Sequence, residues 1–185
     1  MTPAQATGTV PVWDRPVRAL HWALAGGTTA TWLTGQWWHD SHEWLGYGVA
    51  LVIALRLAWG WLGSAPARFA HFVRGPRATW SYARAVAAGR AARHLGHNPL
   101  GGWMVLALLG CAAGTASTGI LYTTDWLWGF DWLHRLHQAL AWCMVGLVTL
   151  HVAGVMFTSW QHRESLVAAM VHGRKRAAAA DDVPA

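Results

Sequence analysis

Charged side chains are scarce in this sequence. Lys, Arg, Asp and Glu together make up 12% of the 185 residues, about half of the roughly 25% that is usual in soluble domains. A soluble globule of this length must cover its surface with polar groups, whereas a surface that faces lipid needs none. The deficit therefore argues against a soluble protein and predicts a chain whose main partner is the lipid bilayer.

The sequence also has few cysteines, and we expect neither a signal peptide nor a repeat in it. Cys111 and Cys143 both lie in apolar runs, where a free thiol behaves as a small hydrophobic group. No Cys-x-x-Cys-His motif is present, which excludes covalent attachment of haem. The first residues lack a basic region followed by a short apolar core, so we expect no cleaved signal peptide. We also expect no internal repeat.

Apolar residues and tryptophan are abundant instead. Hydrophobic residues make up 54% of the chain, and 15 residues are tryptophan, which prefers the membrane interface. Four stretches are long enough to cross a hydrocarbon core as helices, which takes about 20 residues. The sequence predicts an all-α fold, an integral membrane four-helix bundle in a single domain over residues 1–176. The predicted segments are spans at 17–38, 42–63, 98–122 and 137–160, a loop at 64–97 and a disordered tail at 177–185.

Positive charges are unevenly distributed along the chain. Twelve of the 14 Lys and Arg residues lie before or at the very start of the first span, between the second and third spans, or after the fourth. Arg135 lies in the opposite loop, and Arg56 lies inside the second span. The positive-inside rule therefore places both termini and the middle loop in the cytoplasm. The net charge of +6 is explained by this topology, so nucleic-acid binding loses its main support.

Two of the basic segments have the pattern of surface helices. Residues 76–93 alternate arginines with apolar residues in a way that suits a helix on the inner membrane surface, with Gly89 as a weak point. Residues 161–170 suit a short amphipathic extension of the fourth span. We interpret both as solvated helical faces anchored by acidic lipids.

Several histidines lie inside or at the edges of the predicted spans, where an ionisable side chain is costly and points to function. His137 and His151 are fourteen residues apart, about 40° short of four helical turns, so they share a helix face at a separation of about 21 Å. His42 opens the second span on the outer side, as His137 opens the fourth. His21 lies in the first span near the inner side, as His151 does.

These positions predict two facing pairs, His42 with His137 in the outer leaflet and His21 with His151 in the inner leaflet. Two such pairs in a helix bundle are what two six-coordinate b-type haems require, since each iron takes one imidazole nitrogen from each of two helices. We therefore predict that the four histidines are axial ligands of haem iron.

Other polar residues compete with these ligands or support them. His39 and His134 each lie three residues before a predicted ligand, His42 and His137, and are rival ligands closer to water. Arg56 lies fourteen residues after His42. Its guanidinium either neutralises a propionate of the inner haem or extends to the inner headgroups.

Small residues would leave room for a flat macrocycle. Gly46 follows His42 by four residues and Gly154 follows His151 by three, so each lies close to the face of its histidine. The third span also carries a surface of small residues, a pattern that more often serves plain helix packing. Its members are Gly110, Gly114, Ser117 and Gly119.

Four motifs occur in order along the chain and resemble one known family. They are VWDRPVRALHWAL, RLAWGWLGSAPARFAHFVRGP, GHNPLGGWMVLALL and HQALAWCMVGLVTLHVAGVMFTSWQHRESLVAAMVHGRKR. Together they resemble the bacterial di-haem cytochrome b561 family, which includes the b-type cytochrome subunits of nickel-iron hydrogenases. The family pattern implies axial ligands at His21, His42, His137 and His151, and hence two non-covalent haem b groups.

The resemblance also implies a function. It implies transmembrane electron transfer between the quinone pool and a periplasmic redox partner, either a c-type cytochrome or a dehydrogenase. The protein would be an electron-transfer cytochrome or oxidoreductase subunit of the bacterial inner membrane, and a homo-oligomer is compatible with that role. The family's Gly-His-Asn-Pro-Leu motif implies that His97 hydrogen-bonds a haem propionate or lies near a quinone.

Three alternatives stay open on the sequence. Within the family, the protein could be an enzyme that oxidises superoxide and reduces quinone without a protein partner. A transporter that moves protons or metal ions through intramembrane histidines would be colourless when purified. A membrane anchor with incidental histidines predicts that His151→Ala changes neither spectrum nor activity.

Overall fold

The apolar runs of the sequence form long helices. The computed structural model describes residues 8–35 and 37–184, without the side chain of His39. The longest elements are α1 (Arg15–Thr34), α2 (His39–Leu62), α5 (Pro99–Tyr122) and α6 (Asp131–His162). The shorter elements are β1 (Thr9–Pro11), a 3-10 turn (Ala65–Ala67), α3 (Phe69–Phe72), α4 (Pro76–Ala87), α7 (Leu166–His172) and β2 (Arg174–Arg176).

Three of these helices are long and apolar enough to cross a membrane. They are Asp40–Leu62, Pro99–Tyr122 and Asp131–His162, which correspond to the predicted second, third and fourth spans. The last of them begins six residues before the predicted start at His137. Asp131 explains this extension, because a carboxylate in the first turn of a helix interacts favourably with the unpaired backbone N–H groups.

The first predicted span is shorter in the structure. Helix α1 has 20 residues and ends at Thr34, whereas the prediction extended to residue 38. Its second half is rich in threonine, which makes it less apolar than the three helices above. Each of these hydroxyls donates to a backbone carbonyl three or four residues earlier in the helix, so all four hydroxyls are paired. The threonines are Thr28, Thr29, Thr31 and Thr34.

The chain divides into two compact units. One contains the described residues of Ala19–Ala58 and Leu106–His151. Its buried core is formed by Val49 and Ile53 of α2 with Ala112 of α5. Many of its other apolar side chains are exposed, as a lipid-facing surface requires; Leu150, for example, is 59% exposed.

The second unit contains the described residues of Met1–Arg18, Trp59–Val105 and Val152–Ala185. Within it, β1 pairs with β2 in antiparallel register, with Val10 opposite Lys175. Asp14 accepts hydrogen bonds from the indole N–H of Trp59, at 3.1 Å, and from the hydroxyl of Ser64. The strand pairing and these bonds join segments that are far apart in sequence.

A buried ion cluster holds the C-terminal segment in the second unit. Arg93 pairs with Glu164 at 2.7 Å and also with Asp182. The backbone N–H of Val183 donates to the carbonyl of Arg93 at 2.8 Å, and the N–H of Leu95 donates to Val183 at 3.0 Å. Where the sequence predicted a disordered tail, the structure therefore shows residues 182 and 183 bound to the middle of the chain.

Helix α6 does not continue into the predicted amphipathic extension. It ends at His162, Arg163 adopts a left-handed backbone conformation with φ 50°, and α7 begins after the capping residue Ser165. The Ser165 hydroxyl accepts a hydrogen bond from the N–H of Ala168 at 3.2 Å, which is the usual geometry of a helix N-cap.

Candidate functional site

The structure brings together both predicted histidine pairs, and all four residues belong to the same unit. The rings of His42 on α2 and His137 on α6 have their centroids 6.0 Å apart. The rings of His21 on α1 and His151 on α6 have their centroids 6.4 Å apart. Helix α6 thus contributes one histidine to each pair.

Backbone carbonyls fix both rings of the His42–His137 pair. Nδ1 of His42 donates to the carbonyl oxygen of Thr31 at 2.7 Å, and Nδ1 of His137 donates to that of Thr115 at 3.0 Å. A carbonyl oxygen can only accept, so the proton of each neutral ring lies on Nδ1. Nε2 of each ring therefore keeps its lone pair, as a metal-binding imidazole requires.

Two glycines make room for these rings. A Cβ atom added at Gly35 would lie 2.9 Å from Nδ1 of His42, and one added at Gly119 would lie 3.1 Å from Cε1 of His137. A side chain at Gly35 would therefore force the His42 ring to shift, and one at Gly119 would require a smaller shift of the His137 ring. We call Gly35 and Gly119 the cradle glycines, because each leaves the space that its histidine ring occupies.

The same five-residue sequence pattern ends at each of the two cradle glycines. Residues 31–35 read Thr-Trp-Leu-Thr-Gly and residues 115–119 read Thr-Ala-Ser-Thr-Gly, so each follows Thr-x-x-Thr-Gly. The first threonine supplies the carbonyl acceptor, and the glycine four residues later gives the ring its space. We predicted no internal repeat. This short recurring pattern is nevertheless the sequence signal by which the contacts of His42 and His137 could have been found.

The second threonine of each pattern lies close to the same contacts. The hydroxyl of Thr34 donates to the carbonyl of Ala30 at 2.9 Å, and that of Thr118 donates to Gly114 at 2.9 Å. Thr118 Oγ1 also lies 3.1 Å from Nδ1 of His137. Thr118 is 7% exposed, so this contact is shielded from water.

The His21–His151 pair has a different environment. Nδ1 of His21 is buried and has no hydrogen-bond partner among residues 8–35 and 37–184. Arg56 lies close enough to His21 to act on it electrostatically. The Arg56 side chain is buried, with 6% of its surface exposed.

The separation of the rings fits a shared metal ion. Two metal–imidazole bonds of about 2 Å each, placed end to end, separate the two bonded nitrogens by about 4 Å, and half a ring on each side brings the centroids to about 6 Å. The observed values of 6.0 and 6.4 Å match this spacing. The residues present therefore fit one six-coordinate haem iron per pair.

Other metal arrangements receive no support from the described residues. Among the described side chains, which do not include that of His39, no group of three or more His, Cys, Asp or Glu residues could hold a metal ion. A haem iron needs only two protein ligands, because the macrocycle supplies the other four nitrogens. Two facing histidines per site are therefore sufficient protein ligands for haem.

The rival ligands have different surroundings. His134 is exposed, and its ring lies against Tyr122 with the centroids 5.8 Å apart. The side chain of His39 lies outside the described residues. Gly46 and Gly154, which were predicted to leave bare surface near the histidines, have open space around them, because an added Cβ atom would meet nothing within 4 Å.

His97 lies in the second unit, between two aromatic rings. Its centroid is 4.7 Å from that of Trp13 in an edge-on arrangement, and 4.4 Å from that of Phe72. The structure therefore places His97 in an aromatic pocket of the unit that contains neither histidine pair.

Comparison with known proteins agrees with this arrangement. A family model described as prokaryotic cytochrome b561 matches residues 12–173, a range that includes both histidine pairs, Arg56 and His97. No curated protein matches the chain. The chain belongs to the prokaryotic cytochrome b561 family, which consists of membrane-bound b-type cytochromes that bind haem and transport electrons.

Proposed function

We propose that the protein transfers electrons between the quinone pool and a periplasmic redox partner, a c-type cytochrome or a dehydrogenase, through two haem b groups. The observation that carries the proposal is the occurrence of two separate His–His pairs in one unit, with the rings 6.0 and 6.4 Å apart. His42 and His137 would bind one haem, and His21 and His151 the other. When bound, haem b supplies one-electron redox chemistry.

The depth of the two pairs supports transfer across the bilayer. His137 and His151 lie on the same helix, α6, and are separated by about 21 Å along its axis. That distance is a large part of a hydrocarbon core of about 30 Å. With one histidine pair in each leaflet, an electron would cross the insulating core in two shorter steps.

Two further residues would assist cofactor binding. Arg56 would neutralise a propionate of the inner haem, because a buried guanidinium near His21 favours an anionic group beside it. His97, between Trp13 and Phe72, would hydrogen-bond a propionate or lie at a quinone site. Its aromatic neighbours suit a flat quinone ring.

We further propose that α1, the first predicted span, also crosses the membrane and that both termini face the cytoplasm. The antiparallel pairing of β1 with β2 supports placing the two ends of the chain on the same side. The distribution of 12 of the 14 positive residues supports the cytoplasmic side. In this orientation His21 lies in the inner leaflet.

A redox titration tests the proposed function. The difference spectrum between reduced and oxidised protein would be followed while the purified protein is mixed first with a quinol and then with candidate periplasmic cytochromes. We expect b-type bands that quinol reduces and an oxidised partner restores. His134→Ala is a matched control that should behave as the wild type. A colourless protein would overturn the proposal, and rapid reduction by superoxide alone would favour the partner-free enzyme.

A further inference from the structure

An open cavity of about 550 Å³ lies in the second unit, between the end of α4, the end of α6 and the C-terminal segment. It is open to solvent over most of its extent, so a ligand there would be only partly enclosed. Four arginines and two aspartates line it, which gives the lining a net charge of +2. These residues are Arg90, Arg93, Arg163, Arg176, Asp181 and Asp182.

The arginines divide into one that is paired and three that are available. Arg93 is 5% exposed and forms ion pairs with Glu164 and Asp182. Arg90, Arg163 and Arg176 are exposed, and none of them forms an ion pair with any residue that the structure describes. The cavity therefore has a neutralised base surrounded by three cationic side chains and one carboxylate, that of Asp181. The excess of positive charge favours an anion.

Arg163 has an unusual backbone conformation for its residue type. Its N–H donates to the carbonyl of Trp160 at 3.3 Å, and the N–H of Glu164 donates to that of Ser159 at 3.0 Å, so the end of α6 is a Schellman motif. Arg163 occupies the left-handed position of this motif, with φ 50°. Glycine is the usual residue there, because it adopts this conformation without steric cost.

Helix α4 has the usual residue, glycine, at the corresponding position. It also ends in a Schellman motif, with Gly89 at the left-handed position, φ 66°, and the N–H of Arg90 donating to the carbonyl of Ala85 at 2.9 Å. Arg90 therefore reaches the cavity from an unstrained turn, whereas Arg163 does so at a backbone cost. Strain of this kind is retained where the side chain has a function.

Exposed tryptophans lie on the two helices whose ends reach the cavity. Trp160, three residues before Arg163 on α6, is 76% exposed, and Trp80 on α4 is 69% exposed. Exposed tryptophan at the end of a spanning helix marks the interface between hydrocarbon and water. Arg163 follows Trp160 along the chain, so we expect the three available arginines at the depth of the bilayer phosphates.

We propose that this cavity binds the phosphate group of an anionic phospholipid, with Arg90, Arg163 and Arg176 as its ligands. A phosphodiester accepts several N–H donors at once, and guanidinium groups present such donors in a matching planar geometry. Basic pockets beside membrane helices bind anionic headgroups in this way. The site is independent of the proposed redox function.

The test measures lipid binding to the haem-loaded, detergent-purified protein. Its melting temperature would be followed during titration with phosphatidylglycerol, with phosphatidylcholine and with inorganic phosphate, and bound lipid would be counted by native mass spectrometry. We expect a saturable rise in melting temperature with phosphatidylglycerol alone. For Arg163→Gly we expect about fivefold weaker binding, the factor for one cation at a lipid surface. The same variant should melt no lower than the wild type without lipid, because glycine relieves the backbone.

Arg77→Gln is the matched control, since Arg77 is exposed on α4 but does not line the cavity. It should bind phosphatidylglycerol as the wild type does. Equal stabilisation by inorganic phosphate would show a site for a free anion and overturn the lipid assignment. Unchanged lipid binding in both Arg163→Gly and Arg90→Gln would overturn the site itself.

Discussion

The Nδ1 atom of His42 lies 2.7 Å from the carbonyl oxygen of Thr31, on the preceding helix. His137 has the equivalent contact with Thr115 at 3.0 Å. Each contact fixes the rotation of its imidazole and leaves Nε2 directed away from the acceptor, so this pair is preorganised by the backbone before any cofactor binds. The buried Nδ1 of His21 has no such partner in the described residues. The two pairs should therefore differ in rigidity.

Removing single ligands should divide the four histidines into two groups. His42→Ala and His137→Ala should each lose one haem, and His21→Ala and His151→Ala should each lose the other, because each iron depends on both rings of its pair. Haem content per protein, measured as pyridine haemochrome, should fall from two to about one in every variant. Spectra and redox titrations identify which haem remains.

His134→Ala is the control for this series, because His134 is exposed and lies against Tyr122. It should keep both haems. If His21→Ala and His42→Ala removed the same haem, the assignment of ligands to pairs would be refuted.

Enlarging a cradle glycine should disturb only one haem. In Gly35→Ala the new methyl group would lie 2.9 Å from Nδ1 of His42, so the ring must rotate and its bond to Thr31 must weaken. We expect lower occupancy of the haem bound by His42 and His137, and a changed electron paramagnetic resonance signal that reports the altered ring orientation. The other haem should keep its signal.

Gly48→Ala is a matched control for this substitution, since a Cβ atom at Gly48 would meet nothing within 4 Å. Gly119→Ala should give an intermediate effect, because its contact with His137 is 3.1 Å and requires a smaller shift. Identical signals in Gly35→Ala and Gly48→Ala would mean that the cradle does not orient the ligand.

The charge of Arg56 should set the potential of one haem. Arg56→Gln removes a buried positive charge near His21. Ferric haem carries one more positive charge than ferrous haem, so removing this repulsion stabilises the ferric state. The midpoint potential of the haem held by His21 and His151 should therefore fall. A change of about 1–2 kcal/mol is reasonable for such a charge, or roughly 40–90 mV for one electron. Potentiometric titration of both haems measures it.

Arg56→Lys keeps the charge and is the control, with an expected change of less than half that of Arg56→Gln. The haem held by His42 and His137 should keep its potential in both variants. An equal change at both haems would place the effect of Arg56 outside the His21 site.

The pairing of the four histidines was predictable from sequence because helical periodicity determines which residues share a face. His137 and His151 are separated by close to four turns, so their common face followed from arithmetic. The contacts of Thr31 and Thr115 were harder to predict, because their acceptors are backbone carbonyls, which every residue has. Only the recurrence of Thr-x-x-Thr-Gly distinguishes them from other threonines.

The remaining differences between sequence and structure have long-range or backbone causes. The binding of Asp182 depends on Arg93, which is distant in the sequence and belongs to no local pattern. The break after His162 depends on a left-handed Arg163, and a sequence pattern expects glycine at such a position. Patterns of local residue types carry neither kind of information.

The charge of Lys175 should make stability depend on pH. Burial lowers the pKa of this amine to about 8, despite Glu164 at 3.9 Å, with Arg93 and Asp182 also facing it. Below pH 8 its buried charge destabilises the fold, and this penalty, at most about 3 kcal/mol, fades as pH rises from about 8 to 10.5. Lys175→Met should therefore raise the melting temperature at pH 7 and much less at pH 10, whereas Arg77→Met should change it at neither. An equal gain at both pH values would contradict this account.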